Sequence, residues 1–416
     1  MNPTVNQTED LLFVILTQLI VMILAARLMH TLARRAGQPG VVGEVIAGLL
    51  LGPSLLGHVF PQVSQALFGN MPHTITIISQ IGLDAEFAHL KQARNARGVL
   101  QVALASIAVP FVLGVLIGEW AAPALVPDAP ALPFSLFCGV SLAITAMPVL
   151  GRIMREFGLG ETDVGVVAIS AAAVNDVTGW LLLAGVSAYA TARFSGVHMA
   201  WQVIGLLAFL AALRFALRPL IAWFMARYAP REGDLHSNLM ALVIGLIFVL
   251  GICTYKIGIF AIFGGFAAGM LFQRYAPFVA AWRRQVGGFV TVFFLPVFFT
   301  FTGLRTDITG LAGDGYLGWL GLILAAGIIG KMLPVYLAGR LSGFGAAQSW
   351  VLGSLMNTRG LMELIVLNIG FDLGVIPRPV FTMLVIMAIV TTLMTGPLLR
   401  LLLPRMGHTV PKGIEA

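Results

Sequence analysis

Apolar stretches of about 20 residues recur along the whole chain, and short polar segments separate them. A stretch of that length crosses the hydrocarbon core of a bilayer as an α-helix. The pattern therefore predicts an all-α polytopic membrane protein, with residues 1–405 as one transmembrane domain and 406–416 as a short cytoplasmic tail without a soluble regulatory domain. We count thirteen spans, at about residues 11–33, 40–56, 73–90, 97–119, 133–156, 163–192, 199–225, 236–255, 258–273, 284–304, 315–339, 346–371 and 378–403.

The charges between the spans alternate along the chain. Arginine or lysine follows each odd-numbered span, whereas the segments 55–75 and 119–134, which follow even-numbered spans, contain neither. Because basic loops stay in the cytoplasm, the alternation predicts an outside N-terminus and a cytoplasmic C-terminus. It also requires the weak third span, which has only about ten clean apolar residues before Asp84 and Glu86.

Composition supports a membrane protein. The 416 residues are 58% hydrophobic and 10% charged, with a mean hydropathy of +0.94, whereas soluble domains carry about 25% charged residues. The net charge of +7 belongs to cytoplasmic loops and does not indicate nucleic acid. Cys138 and Cys253 lie in apolar segments, and the sequence contains no Walker loop, nucleophile elbow or paired Cys/His set, so it does not predict an enzyme.

The two halves of the chain resemble each other in three short segments. The first two pairs share an offset of 221 residues and the third has an offset of 213. An odd span between the halves gives the repeats opposite orientation, as in many secondary transporters. The pairs are GEVIAGLL (43–50) with GGFAAGML (264–271), GLDAEF (82–87) with GLRTDI (303–308), and SLAITAMP (141–148) with SLMNTRGL (354–361).

The third pair predicts broken helices. Pro148 lies inside the fifth span, and Asn357, Thr358 and Gly360 lie inside the twelfth. Proline removes a backbone donor, and glycine tolerates non-helical dihedral angles. Breaks at corresponding places in two repeats point to an ion site at the middle of the membrane. The alternative is a pair of ordinary kinks.

Asp176 is the leading candidate for the ion site, because it lies near the centre of the sixth span. A charge at that depth costs roughly 2.5–3.5 kcal/mol, so such residues are functional candidates. A carboxylate that holds either an alkali cation or a proton, but not both, supplies the minimal chemistry of exchange. The alternative is a structural carboxylate bonded to neighbouring hydroxyl groups. Asn175 offers a carbonyl oxygen beside it, or serves as an interhelical hydrogen-bonding residue.

Three more charged residues lie deep in the predicted spans. Lys331, in the eleventh span, either neutralises Asp176 or a broken-helix end, or extends to an interface. Arg359 and Glu363, at the break in the twelfth span, have the i,i+4 spacing of an ion pair. They either compensate charge at the site or neutralise each other and hold the break.

Two charged residues lie closer to predicted span ends. Glu44, early in the second span, either lines an access funnel or lies at an interface. Arg305 is at a predicted outer boundary, where we expect its side chain to extend to the interface.

Five segments together resemble one known family over about residues 12–400: GQPGVVGEVIAGLLLGPSLLG, SLAITAMPVLGRI, AAAVNDVTGW, PVFFTFTGLRTDI and NTRGLMELIVLNIG. They are similar to the monovalent cation:proton antiporter-2 family, and the last two to its potassium/proton branch. The resemblance implies a sodium/proton antiporter fold with two crossed broken helices. It implies a mobile core at about 97–192 and 315–403, a scaffold at about 11–93 and 236–308, and a linker helix at 199–225.

The resemblance also assigns residues. It implies that Asp176 binds the ion, that Lys331 is the membrane-buried lysine, and that Thr145 and Thr358 mark the two breaks. We count Thr145 and Thr358, together with Asn175 and Asp176, as the candidate ion- and proton-binding residues. The family alternates access by an elevator-like movement of the core. Many electrogenic relatives have two carboxylates where this chain has Asn175 and Asp176, so we expect electroneutral exchange of K⁺ or Na⁺ for H⁺. Electroneutral relatives often have arginine at the position of Lys331, so the lysine argues against electroneutral exchange.

The resemblance further implies a homodimer in a lipid bilayer, without nucleic acid or an organic cofactor, and we expect a bacterial inner membrane. Relatives have an apolar run before the position of GLDAEF that this chain lacks. The shortened third span leaves open a channel-like or non-transporting membrane protein on the same scaffold.

Overall fold

A computed structural model of the protein describes residues 3–69, 96–127, 130–191, 196–228, 235–258, 261–313 and 315–408. All regular secondary structure in these ranges is helical, which confirms the predicted all-α class. The helices are α1 (Pro3–Arg35), α2 (Gly40–Leu51), α3 (Leu56–Val59), α4 (Pro61–Phe68), α5 (Ala96–Leu125), α6 (Ala131–Ala143), α7 (Met147–Glu156), α8 (Asp163–Thr191), α9 (Gly196–Ala211), α10 (Arg218–Tyr228), α11 (Ser237–Ile257), α12 (Ile262–Phe272), α13 (Ala276–Trp282), α14 (Leu295–Leu304), α15 (Tyr316–Leu341), α16 (Ala346–Met356), α17 (Leu361–Asp372) and α18 (Arg378–Leu402).

Nine helical stretches among the described residues are long and apolar enough to cross a membrane. They correspond to nine of the predicted spans, and the fifth and twelfth spans are each divided into two shorter helices. The ninth span corresponds to α12, which has 11 residues. The third span, 73–90, lies outside the described residues, so it stays a prediction.

The chain forms two compact units. One unit comprises the described parts of Met1–Ile23, Asn70–His89 and Ser187–Phe298, and the other comprises those of Leu24–Gly69, Leu90–Val186 and Phe299–Ala416. We call the second the large unit, and it contains both divided helices. The boundaries of the predicted scaffold and mobile core differ from those of these two units. The division into scaffold and core also describes a movement, so it stays a prediction.

Close helix approach inside each unit depends on glycine. In the first unit, a Cβ atom on Gly264 of α12 would overlap the backbone of α11 at Leu250 and Gly251. In the large unit, a Cβ atom on Gly303 of α14 would lie 2.7 Å from the Cα atom of Gly48 in α2. Membrane helices gain no hydrophobic driving force from lipid, so small residues that allow backbone contact stabilise their packing.

The two divided helices are crossed in the large unit, as predicted. The first is interrupted between α6 and α7 at residues 144–146, and the second between α16 and α17 at residues 357–360. Pro148 lies in the first turn of α7, just after the break. Proline is tolerated there because the first-turn N–H groups have no partner within the helix. The proline therefore marks the start of the second half-helix, and the interruption precedes it.

Candidate functional site

The two unwound segments are hydrogen-bonded to each other. The backbone N–H of Ala146 donates to the carbonyl oxygen of Thr358 at 3.0 Å. The Thr145 hydroxyl donates to the carbonyl oxygen of Met356 at 2.9 Å. An interrupted helix leaves backbone groups without an internal partner, and these must be satisfied inside a membrane. Each break therefore supplies part of the hydrogen bonding that the other lacks.

Asn175 of α8 holds the first break from the side. Its Oδ1 accepts from the backbone N–H of Thr145 at 3.2 Å. Its Nδ2 faces the Thr145 hydroxyl at 3.3 Å, the Ala143 carbonyl at 3.3 Å and the Ser106 hydroxyl at 3.1 Å. The side chain is 1% exposed. Both ends of the amide are thus engaged by protein groups, as expected for a buried amide.

Two cationic side chains converge on the C-terminal end of α6. The Lys331 ammonium of α15 donates to the carbonyl oxygen of Ala143. Arg359, in the second break, donates through Nη1 to Ser141 O at 2.6 Å and through Nη2 to Leu142 O at 2.9 Å. The last carbonyl groups of a helix carry partial negative charge, which cations stabilise. Lys331 therefore contacts a broken-helix end, and its neutralisation of Asp176 stays a prediction.

Arg359 and Glu363 form the predicted i,i+4 pair. Nη1 of Arg359 lies 3.4 Å from Oε2 of Glu363, and both side chains are fully buried. This separation is longer than those to the α6 carbonyls, and neither Glu363 oxygen forms a hydrogen bond within the described ranges. The backbone of Arg359 both donates to and accepts from the Thr392 hydroxyl of α18, at 3.0 Å each way. Arg359 therefore connects the second break to α18 and to the end of α6.

Asp176 follows Asn175 on α8 and is only partly buried. Adjacent helical residues point about 100° apart, so the two side chains face different directions. Thr358 is fully buried, and its hydroxyl donates to the carbonyl oxygen of Leu355 at 2.8 Å. The structure thus brings Asn175, Thr145 and Thr358 together, with Asp176 adjacent in sequence on α8.

Glu44 is paired elsewhere in the large unit. Its Oε1 lies 2.7 Å from Nδ1 of His30 in α1, and Glu44 is only 3% exposed. Its backbone carbonyl also accepts from the Thr300 hydroxyl of α14 at 3.4 Å. The histidine partner had no sequence signal beyond its position near a span end. A role for Glu44 in an access funnel stays a prediction.

Arg305 has an ion-pair partner that the sequence did not indicate, and its extension to the interface stays a prediction. Its Nη1 lies 2.7 Å from Oδ1 of Asp372, at the end of α17. It is thus held by a carboxylate, because the fold brings the end of α14 beside the end of α17. Sequence reasoning also missed Ser106 and Thr392, which are buried and contact Asn175 and Arg359. Single hydroxyl residues are common in membrane helices, so no sequence signal distinguished them.

Comparison with known proteins gives a consistent result. The family model described as "Sodium/hydrogen exchanger, transmembrane" matches residues 20–404. The chain is 36% identical over 410 residues to the Na(+)/H(+) antiporter NhaS4 of Synechocystis, covering 95% of this chain and 99% of that protein. It is 29% identical over 423 residues to the K(+)/H(+) antiporter 1 of Saccharomyces cerevisiae, covering 97% of this chain and 48% of that protein.

The chain spans about half the length of the plant and yeast relatives it matches. Among solved structures, it is similar to the sodium proton antiporter MjNhaP1 of Methanocaldococcus jannaschii, with a TM-score of 0.58 and 17% identity. The match covers 94% of this chain and 96% of the archaeal chain. At this identity the likeness shows the fold, which is the predicted sodium/proton antiporter fold.

Proposed function

Because the chain belongs to the sodium/hydrogen exchanger family, we propose that it is a secondary active antiporter that exchanges Na⁺ or K⁺ for a proton across a membrane. The observation that carries the proposal is the crossing of two unwound segments beside the Asn175–Asp176 pair of α8. Broken helices of this kind hold ion sites in secondary transporters. Relatives named as sodium/proton and potassium/proton antiporters support both cations.

Asp176 is the residue at which cation and proton compete. Its carboxylate is a hard oxygen ligand suited to an alkali cation, and the same oxygen accepts a proton. Occupancy by one ion excludes the other, so in each transport step the site carries either a cation or a proton across the membrane. Because the site carries the two ions alternately, the cation gradient and the proton gradient are coupled.

Asn175, Thr145 and Thr358 shape the site around Asp176. The Asn175 amide and both threonine hydroxyls are hydrogen-bonded within the crossing. We therefore assign their side chains to holding the unwound segments in position. Direct binding of the cation by one of these three residues requires an oxygen lone pair that these hydrogen bonds leave unused.

Lys331, Arg359 and Glu363 set the charge near the crossing. The two cations neutralise the negative end of the α6 half-helix, and Glu363 compensates part of the charge of Arg359. The Asp176 carboxylate is then the charge that responds to the transported ion. With a neutral amide at position 175, one cation exchanges for one proton, and the exchange is electroneutral.

The remaining parts of the proposal follow the family pattern. Access alternates by an elevator-like movement of the core, the protein forms a homodimer, and it lies in a bacterial inner membrane. The N-terminus is outside and the C-terminus cytoplasmic, as the alternation of basic segments supports.

The test uses purified protein in liposomes with a pH-sensitive dye inside. Addition of Na⁺ or K⁺ should move protons in wild-type vesicles, and Asp176→Ala should abolish this movement while the protein elutes as the same folded species on size exclusion. Cation-driven proton movement at the wild-type rate in Asp176→Ala would exclude the assignment. Asp163→Ala, at the first residue of the same helix, is the matched control and should retain exchange.

A further inference from the structure

A second polar cluster joins the ends of α14 and α17, remote in sequence from Asp176. Arg305 Nη1 lies 2.7 Å from Asp372 Oδ1 and donates to Asn368 Oδ1 at 3.0 Å. Asn368 Nδ2 donates to the Thr302 hydroxyl at 2.8 Å. We call Thr302, Arg305, Asn368 and Asp372 the α14–α17 latch.

Aromatic rings restrict the arginine of the latch. Its guanidinium carbon lies 4.3 Å from the ring centroid of Phe301 and 5.3 Å from that of Phe371. Phe301 belongs to α14 and Phe371 to α17, so the cation is held between a ring from each helix. Such cation–π contacts favour one position of the guanidinium. The latch therefore defines a specific relative position of the two helix ends.

The latch has a buried part and a part that is exposed at the surface of the protein. Thr302 is fully buried and Asn368 is 5% exposed. The side chains of Arg305 and Asp372 are 20% and 29% exposed. Ion pairs with this exposure contribute little net stability, because water competes for both charges. The ion pair is thus specific in geometry but weak enough to separate reversibly.

The position of the latch connects it to the crossing. α17 begins directly after the unwound segment at residues 357–360 and has 12 residues, with Asp372 at its end. A helix of that length is about 18 Å long and moves as a rigid element. α14 is not interrupted between Leu295 and Leu304, and Arg305 follows its last residue. A shift of the second break relative to α14 by even one helical turn, about 5.4 Å, separates all three polar contacts.

We propose that the α14–α17 latch is closed in one access state of the antiporter and open in the other, so that its opening is a required step of every exchange cycle. The inference rests on the proposed exchange function, because it concerns the movement that couples the two sides of the membrane. The latch residues do not bind the transported ion. They act by holding α17, and with it the crossing, in one position.

The test is a reversible covalent lock. In a background with Cys138→Ala and Cys253→Ala, Thr302→Cys/Asn368→Cys replaces a side-chain contact of 2.8 Å by a pair of thiols. Oxidation should form the disulfide and reduce cation-driven proton movement in liposomes at least tenfold, and dithiothreitol should restore it. Mass spectrometry of the oxidised sample gives the fraction locked. Undiminished exchange in a sample that is fully locked would overturn the proposal.

A matched pair controls for damage by oxidation. A Cβ atom on Gly339 of α15 would lie 3.1 Å from the Cβ atom of Ser349 in α16. Gly339→Cys/Ser349→Cys joins two helices that are consecutive in the chain and leaves the α14–α17 contact free, so its oxidation should not slow exchange. Equal arrest in this control would also overturn the proposal. Exchange by the reduced latch variant tests the proposed function separately. That function is contradicted only if the reduced variant and the wild type are both inactive.

Discussion

Asn175 and Thr145 are joined by two hydrogen bonds, one to the backbone and one to the side chain. The Thr145 N–H donates to Oδ1 of Asn175 at 3.2 Å, and Nδ2 of Asn175 lies 3.3 Å from the Thr145 hydroxyl. The amide thereby supplies both a donor and an acceptor to a chain segment that has left its helix. A carboxylate at position 175 supplies only acceptors when it is ionised. This relationship gives a structural reason for an amide beside Asp176.

Asn175→Ala should destabilise the protein. The substitution leaves the Thr145 N–H without its partner in a buried site, at a cost of about 1–3 kcal/mol. Thermal unfolding in detergent should show a lower midpoint, together with slower exchange. Val174→Ala is the control, because Val174 is 40% exposed and its truncation should change stability by no more than about 0.5 kcal/mol. Equal unfolding midpoints for the wild type and Asn175→Ala would show that the amide has no structural role.

Arg359→Lys should impair exchange despite conserving charge. The guanidinium bonds Ser141 O and Leu142 O through different nitrogen atoms, and a single ammonium does not reproduce that geometry. Loss of one charge-assisted hydrogen bond, about 1.5–3 kcal/mol, corresponds to at least a tenfold slower rate if the crossing is misplaced. Arg340→Lys is the control, since Arg340 is exposed and its side chain donates to the Phe344 carbonyl. A wild-type rate for Arg359→Lys means that charge alone suffices there.

Lys331→Met should also lower stability. The variant removes the donor to the Ala143 carbonyl at the end of α6 and conserves an unbranched apolar chain. The expected loss is about 1–3 kcal/mol, because the carbonyl is buried and loses a charged partner. Lys256→Met, at an exposed position of α11, should leave the unfolding midpoint unchanged. If both variants unfold at the wild-type temperature, the lysine does not stabilise the half-helix.

The amide at position 175 also predicts insensitivity to voltage. A membrane potential of about 100 mV contributes about 2.3 kcal/mol for each net charge moved. One-for-one exchange moves none, so an imposed potential should not change the initial rate of cation-driven proton movement at fixed ion gradients. A severalfold acceleration by a potential of one sign, and slowing by the other, contradicts electroneutral exchange.

The predictable part of this structure is the part that hydrophobic length and backbone chemistry determine. The apolar spans are predictable because the thickness of the bilayer sets their length. The interruptions near Pro148 and Gly360 are predictable because these residue types disfavour a continuous helix. The charged residues Lys331 and Arg359 stand out for the same reason, since charge deep in a membrane is rare.

The partners of those residues were not predictable. Arg359 bonds carbonyl groups of α6 that lie more than 200 positions earlier in the chain, and such contacts depend on how the half-helices cross. The partner of Arg305 could not be predicted either, because hydropathy reports depth in the membrane but not the approach of Asp372. Carbonyl acceptors have no sequence signal at all, since every residue carries one.

The central claim is that cation and proton compete for Asp176, and the pH dependence of the apparent KM for the transported cation tests it most directly. Initial exchange rates of the wild type in liposomes are measured across a range of cation concentrations at several pH values. Competition at one site predicts that, on the acid side, the apparent KM rises about tenfold for each unit decrease in pH while the maximal rate stays constant. An apparent KM that does not change with pH, with a maximal rate that does, would place cation and proton at separate sites and contradict the claim.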